Sequence, residues 1–223
     1  MPTEVKVLTD VLKATREEAA RLRADFSAAG TYVIDIIGGP GCGKTTLLEA
    51  TLPTLAERFR TAVLIGDVAT ARDAGRVVDL GAETYQLCTE GACHISPSLV
   101  RVGVSALRDS APQLLIIENV GNLVCPASFD LGEDVKIAMS AVTEGPDKPE
   151  KYPALFRKSA AVILNKVDLV EPLEFDRDYY WARVGEINGS ADRFEIAAKK
   201  GQGLDGWLDW LSQRVEAKAS APV

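Results

Sequence analysis

The sequence predicts an α/β fold, with a mostly parallel central sheet covered by helices on both faces. Two observations carry this prediction. Short runs rich in β-branched residues alternate with helical stretches along nearly the whole chain, as in a parallel sheet packed on both sides. The length of 223 residues with 47% hydrophobic content also suits one generous domain whose core needs no disulfide or structural metal.

The elements follow in order. Over residues 4–29, Val5, Leu8, Val11, Leu12, Leu22 and Phe26 recur near helical spacing among charged residues, and Gly30 supplies the stop. TYVIDII (31–37) reads as a buried strand ending in glycines, and a helical pattern runs from Lys44 to about Phe59. Further strands are predicted at 61–65, 84–87, 114–118, 135–142, 160–165 and 193–198, with helical sequence between them. LDGWLDWLSQRV (204–215) reads as a closing amphipathic helix. EGPDKPEKYP (144–153) carries three prolines and is expected to be a loop inside the domain. The organisation is therefore an N-terminal helix (1–30) packed on a single globular domain (31–223).

Composition narrows the function. No apolar run reaches the ~20 residues of a membrane span. The opening MPTEVKVLTD has acidic groups and no apolar core, unlike a signal peptide. With 25 Lys and Arg against 32 Asp and Glu, the formal charge of −7 argues against broad nucleic-acid or membrane-surface binding. The four cysteines are then expected to be reduced thiols of a cytoplasmic protein.

Gly38-Gly39-Pro40-Gly41-Cys42-Gly43-Lys44-Thr45 matches the phosphate loop G-x-x-x-x-G-K-[ST], directly after a strand and opening a helix. Glycines let backbone N–H groups curl round a polyphosphate, and the helix start adds positive potential. Gly39 through Thr46 are the expected phosphate contacts. Lys44 reaches the β- and γ-phosphates, and the Thr45 hydroxyl ligates Mg²⁺. Cys42 reads as a small space-filler. Asp67 and Glu118, each after a strand-like run, either complete the Mg²⁺ shell or cap the next turn. Lys44, Asp67 and Glu118 form the expected catalytic set. No glutamine or arginine stands out to orient water or stabilise charge, so intrinsic turnover is expected to be slow.

Asn165-Lys166-Val167-Asp168 after the strand AAVIL resembles the N-K-x-D base-reading element of GTPases. The Asp168 carboxylate suits guanine, whose N1–H and exocyclic amine form a donor pair on one edge, where adenine offers no such pair. Lys166 lies along the base, and Asn165 ties this turn to the phosphate loop. AAKKGQG (197–203) resembles the last GTPase element, with Ala198-Lys199 at the guanine edge. The substrate is thus GTP, with GDP as product.

The sole histidine lies beside a thiol in Cys93-His94, and Cys125 follows Glu118 by seven residues. These residues are either core fillers or ligands of Zn, Ni or Cu(I), the ions that thiolate and imidazole favour. Cys88 is assigned to the core.

ENVGNLVCPASFDLGE (118–133), GDVATARDAGRV (66–77), EGACH (90–94) and DKPEKYP (147–153) together resemble the HypB family, the nickel-insertion GTPases of NiFe-hydrogenase maturation. The resemblance runs from the phosphate loop to the end of the chain. It implies a P-loop GTPase that forms a homodimer when GTP is bound. It further implies nickel or zinc bound by Cys93, His94 and Cys125 near the dimer interface, and a lysine, Lys151, that reaches the partner's nucleotide. The implied partners are a nickel-delivery accessory protein and the hydrogenase large-subunit precursor. Three features depart from the pattern. Residues 1–30 lack the family's Cys-rich motif and histidine tract, Ile95-Ser96-Pro97-Ser98 replaces extra histidines, and Val68 stands where glutamine is frequent. The first favours a transfer site over a nickel store, the second means that any additional ligands come from elsewhere, and the third bears on the switch segment after Asp67. The urease-type GTPases carry a Cys-Pro-His arrangement that is absent here.

Overall fold

The computed structural model describes residues 3–67, 72–77, 79–107 and 111–220, and the side chains of 13–66, 75–77, 79–107 and 111–220 within them. The chain begins with α1 (Thr3–Ala28), β1 (Tyr32–Gly38), α2 (Lys44–Arg58), β2 (Thr61–Asp67), α3 (Arg72–Val77) and β3 (Glu83–Cys88). Next come α4 (Pro97–Ala106), β4 (Leu114–Gly121), α5 (Cys125–Ser128), β5 (Val135–Ala141), α6 (Lys148–Lys151) and α7 (Pro153–Lys158). The last part holds β6 (Ser159–Asn165), α8 (Arg177–Ile187), β7 (Asp192–Ile196) and α9 (Leu204–Ser220).

The seven strands form one sheet in the order β3-β2-β4-β1-β5-β6-β7, and every pairing is parallel. Because successive side chains point to opposite faces, β1 divides its residues between two layers. Tyr32, Ile34 and Ile36 pack with Leu47, Leu48, Leu52 and Leu55 of α2 and Trp207 and Leu211 of α9. Val33 faces Leu22 and Phe26 of α1 and Val100 of α4, and Ile37 joins Phe156, Tyr180 and Val184 of α7 and α8. Asp35 lies on this second face, fully buried. The strands and both end helices thus lie where the hydrophobic patterning places them.

The prolines of 144–153 mislead as breakers. Pro149 and Pro153 occupy the first turns of α6 and α7, where a missing N–H costs nothing. The segment is therefore two short helices with turns, not an open loop.

Candidate nucleotide and metal site

β1 and β4 lie side by side at the centre of the sheet, and their C-terminal ends deliver the two halves of a cleft of about 530 Å³. The loop after β1 crosses over the start of α2. Gly43 takes φ +101°, and a Cβ there would sit 2.4 Å from Asn165 Nδ2, so only glycine permits both the turn and the close approach. Pro40, Gly41, Gly43, Lys44, Thr45 and Thr46 line the cleft. Gly39 backs onto the Glu144 carboxylate, and Gly121 of β4 packs against Pro40. Cys42 is fully buried, and burial pushes its thiol up to about 11, as suits a space-filler.

Lys44 is buried and donates from Nζ to the carbonyls of Gly38 (3.0 Å) and Gly39 (3.4 Å). Thr45 Oγ1 donates to Glu118 Oε1 at 2.8 Å, both residues buried. A hydroxyl beside a carboxylate at the mouth of a phosphate loop is an all-oxygen donor set, which matches a hard cation such as Mg²⁺. Asp67 ends β2, but its side chain, like Val68 entirely, lies outside the described residues.

The second strand pair closes the cleft from the other side. Asn165 Nδ2 donates to the Cys42 carbonyl at 2.9 Å, and its Oδ1 accepts from the Ala198 N–H at 3.1 Å. One side chain therefore joins the phosphate loop, the end of β6 and the turn after β7. Lys166, at φ +60°, donates to the Gly41 carbonyl (2.7 Å) and to Thr143 Oγ1 (3.2 Å). Asp168 is half-buried and pairs with Lys200 at 3.0 Å, while Lys199 is exposed. Lys151 on α6 pairs with Asp147, is 61% exposed and is not among the residues lining the cleft.

The thiols meet at the same edge of the sheet. Cys93 donates to Cys125 Sγ at 2.8 Å, and that hydrogen bond holds the Cys93 thiol above its usual range. Asn122 braces the approach by donating to the Cys93 carbonyl (3.1 Å) and accepting from Val124 N–H (2.9 Å). His94 Nδ1 lies 3.8 Å from Cys93 Sγ, yet the ring stacks on Phe129 with centroids 3.7 Å apart. Burial lowers its pKa, which favours the neutral imidazole that binds metals. Among the described residues, no three His, Cys, Asp or Glu side chains converge to hold an ion. The structure thus brings two of the three expected ligands together and leaves the third turned onto Phe129. Cys88 is exposed at the end of the edge strand β3, which corrects its assignment to the core.

Three features escape the sequence reading. Glu144 accepts from the Ala141 N–H at 2.9 Å behind Gly39. Arg76 on α3 lines the cleft and forks onto Glu49. Beneath the site, Lys136 Nζ touches Glu133 Oε1 (2.7 Å), the Phe129 carbonyl (2.8 Å) and Asp35 Oδ2 (3.0 Å), and Asn119 donates to Asp35 Oδ1 (2.9 Å). Burial raises both Asp35 and Glu133, whereas the two carboxylates together outweigh the desolvation of Lys136 and raise it. No hydrophobic pattern signals this cluster, because its members come from β1, β4, β5 and the segment between α5 and β5.

Comparison with known proteins agrees with this geometry. Residues 32–195 match the family described as CobW/HypB/UreG, nucleotide-binding domain. The hydrogenase maturation factor HypB of Escherichia coli K12 is 42% identical over 93% of this chain and 71% of its own length. The hydrogenase/urease maturation factor HypB of Helicobacter pylori is 34% identical over 95% and 88%. The crystal structure of HypB from Archaeoglobus fulgidus superposes with a TM-score of 0.85 at 33% identity, covering 91% of this chain and 99% of that one. HypB from Helicobacter pylori in complex with nickel gives 0.86 at 32%, covering 94% and 99%. By sequence and by fold, the chain belongs to the HypB family of CobW/HypB/UreG nucleotide-binding proteins.

Proposed function

We propose that the protein is a GTP-hydrolysing nickel-delivery factor of hydrogenase maturation, working in the cytoplasm as a homodimer favoured by GTP. The observation that carries this reading is the Asn165 clasp, which holds the phosphate loop, the turn at Asn165-Lys166-Val167-Asp168 and the turn at Ala198 as one unit. The relatives named above are hydrogenase maturation factors, and one of them was crystallised with nickel.

In the proposed cycle, backbone N–H groups of Gly41, Cys42 and Gly43 wrap the phosphates. Lys44 leaves the Gly38 and Gly39 carbonyls and pairs with the β- and γ-oxygens. Asp168 accepts from guanine, Lys166 lies along the ring, and the segment at Ala198-Lys199 closes the base edge. Thr45 and Glu118, with Asp67 as a third candidate, would hold Mg²⁺, which when bound neutralises charge on the phosphate oxygens. Lys151, exposed and outside the lining of its own cleft, reaches the nucleotide of the second subunit.

Nickel is the cargo. Cys93 and Cys125 offer two sulfurs and His94 adds a nitrogen when its ring leaves Phe129, which keeps a coordination position open for transfer. Glu118 and Cys125 lie on one continuous stretch, so nucleotide and metal act on the same segment. The acceptors are an accessory nickel protein and the hydrogenase large-subunit precursor.

Two measurements test the reading. Lys44→Ala should abolish GTP hydrolysis without unfolding the protein, and undiminished turnover would sink the phosphate-loop assignment. Nickel titration of the GDP and GTP-analogue states, with mass measured alongside, should give different affinities. Equal affinities would break the switch, because a ligand without preference shifts no equilibrium.

A further inference from the structure

The cations lining the cleft, among the described residues, are Lys44, Lys166 and Arg76. Lys44 belongs to the phosphate loop itself, and Lys166 is engaged with Gly41 and Thr143 on the side of the base. Arg76 comes from a different element, α3, and approaches the first turns of α2. Its Nε and Nη2 donate to the two carboxylate oxygens of Glu49 at 2.9 and 2.6 Å, and Nη2 also donates to Thr46 Oγ1 at 3.1 Å. Thr46 directly follows the Thr45 that contacts Glu118, so the guanidinium already lies beside the turn that receives phosphate.

We propose that Arg76 is the charge-stabilising arginine of nucleotide hydrolysis, contributed by the same chain and held in reserve by Glu49. The inference rests on the GTPase reading above. A guanidinium fork fits phosphate as well as it fits carboxylate, and its charge persists at any working pH. The pair with Glu49 is partly solvated, with side-chain exposures of 43% and 33%, so an incoming polyphosphate can compete for the same fork. In the reaction, a water oxygen bonds to the γ-phosphorus as the bond to the β–γ bridging oxygen breaks. The electron pair leaves on the β-phosphate of GDP, and the water's proton passes to inorganic phosphate. Negative charge spreads over the phosphate oxygens during that step, where an arginine acts most strongly. Competition from Glu49 predicts slow basal turnover without requiring an arginine from another protein.

The test uses the full chain and four variants. Arg76→Ala should lower single-turnover GTP hydrolysis about a hundredfold while GDP affinity stays within about threefold. Arg76→Lys should recover only a minor part of the rate, because an ammonium cannot fork. Capture of GDP with aluminium fluoride should be lost in Arg76→Ala and retained in the wild type. Glu49→Gln serves as the structural control and should hydrolyse at least as fast as the wild type. An unchanged rate in Arg76→Ala would overturn the proposal, as would equal losses of GDP affinity and of rate. A fall in Glu49→Gln as deep as in Arg76→Ala would also overturn it, since the pair would then only brace α3 on α2. Failure of the GTPase reading looks different: wild type and Lys44→Ala would hydrolyse GTP equally, and the role of Arg76 would fall with it.

Discussion

Replacing Lys136 with methionine tests the buried charge cluster under the site. The change keeps the volume and the unbranched stem but removes the ammonium. Lys136 is 9% exposed, and its partners Asp35 and Glu133 are 0% and 6% exposed, so water cannot take over its role. Removing one partner of a buried ion pair costs about 3–5 kcal/mol, and the orphaned Phe129 carbonyl adds about 1 kcal/mol. A loss of that size is a large share of the ~5–15 kcal/mol that stabilises a typical domain. The pH dependence has a definite sign. Asp35 and Glu133 both have folded-state values raised by burial, so each favours the fold while protonated and loses that contribution as pH rises through its folded value. Lys136, also raised, protects the pair by the same rule, since its contribution is complete below its unfolded value. Without it, the penalty grows as pH rises through the carboxylate range. Urea unfolding followed by circular dichroism at about pH 5.5 and about pH 8 should show the larger loss at the higher pH. Adding Asp35→Asn should recover part of the loss by removing one surplus charge. A loss below about 1 kcal/mol, or one that shrinks as pH rises, would refute this account.

Three further outcomes are expected. Gly43→Ala combines a φ of +101° with a Cβ 2.4 Å from Asn165, so it should cost about 1–3 kcal/mol and weaken GDP binding at least about tenfold; calorimetry with unchanged affinity would contradict this. Nickel binding displaces the proton that the hydrogen bond to Cys125 retains on Cys93, so affinity should rise with pH; a flat profile in chelator competition would remove Cys93 from the ligands. Iodoacetamide should label Cys88, Cys93 and Cys125 before the buried Cys42, and early labelling of Cys42, read by peptide mass, would contradict the packed phosphate loop.

The nucleotide site was largely legible in the sequence because its residues act through the backbone around them. A glycine-rich run between strand and helix, or N-K-x-D after an apolar strand, carries its geometry in a few consecutive positions. The clasp of Asn165 onto Cys42 spans 123 residues, yet the motif alone indicated which loop it would tie. What stayed hidden depends on pairing at a distance. Asp35 is a lone carboxylate within the strand YVIDIIG, and only the neighbouring strands, which bring Lys136 and Asn119 to it, reveal its role. Arg76 was one charge among several in GDVATARDAGRV, and only its placement against Glu49 and Thr46 distinguishes it. Cys88 misled for a different reason, because a thiol's preference for burial says nothing about which strand forms the sheet edge.

The central position of β1 and β4 has a consequence for nucleotide exchange. Strands paired on both sides and buried on both faces open only when the whole domain unfolds, whereas peripheral turns open at far lower cost. The phosphate loop and Glu118 hang from the two strands at the middle of the sheet. The turns proposed to read the base hang from β6 and β7, and β7 is an edge. The pocket therefore has a fixed floor and a yielding rim. In the proposed cycle, a departing GDP loosens first at its base and last at its phosphates, and a partner that speeds exchange does so by pressing on the outer strands.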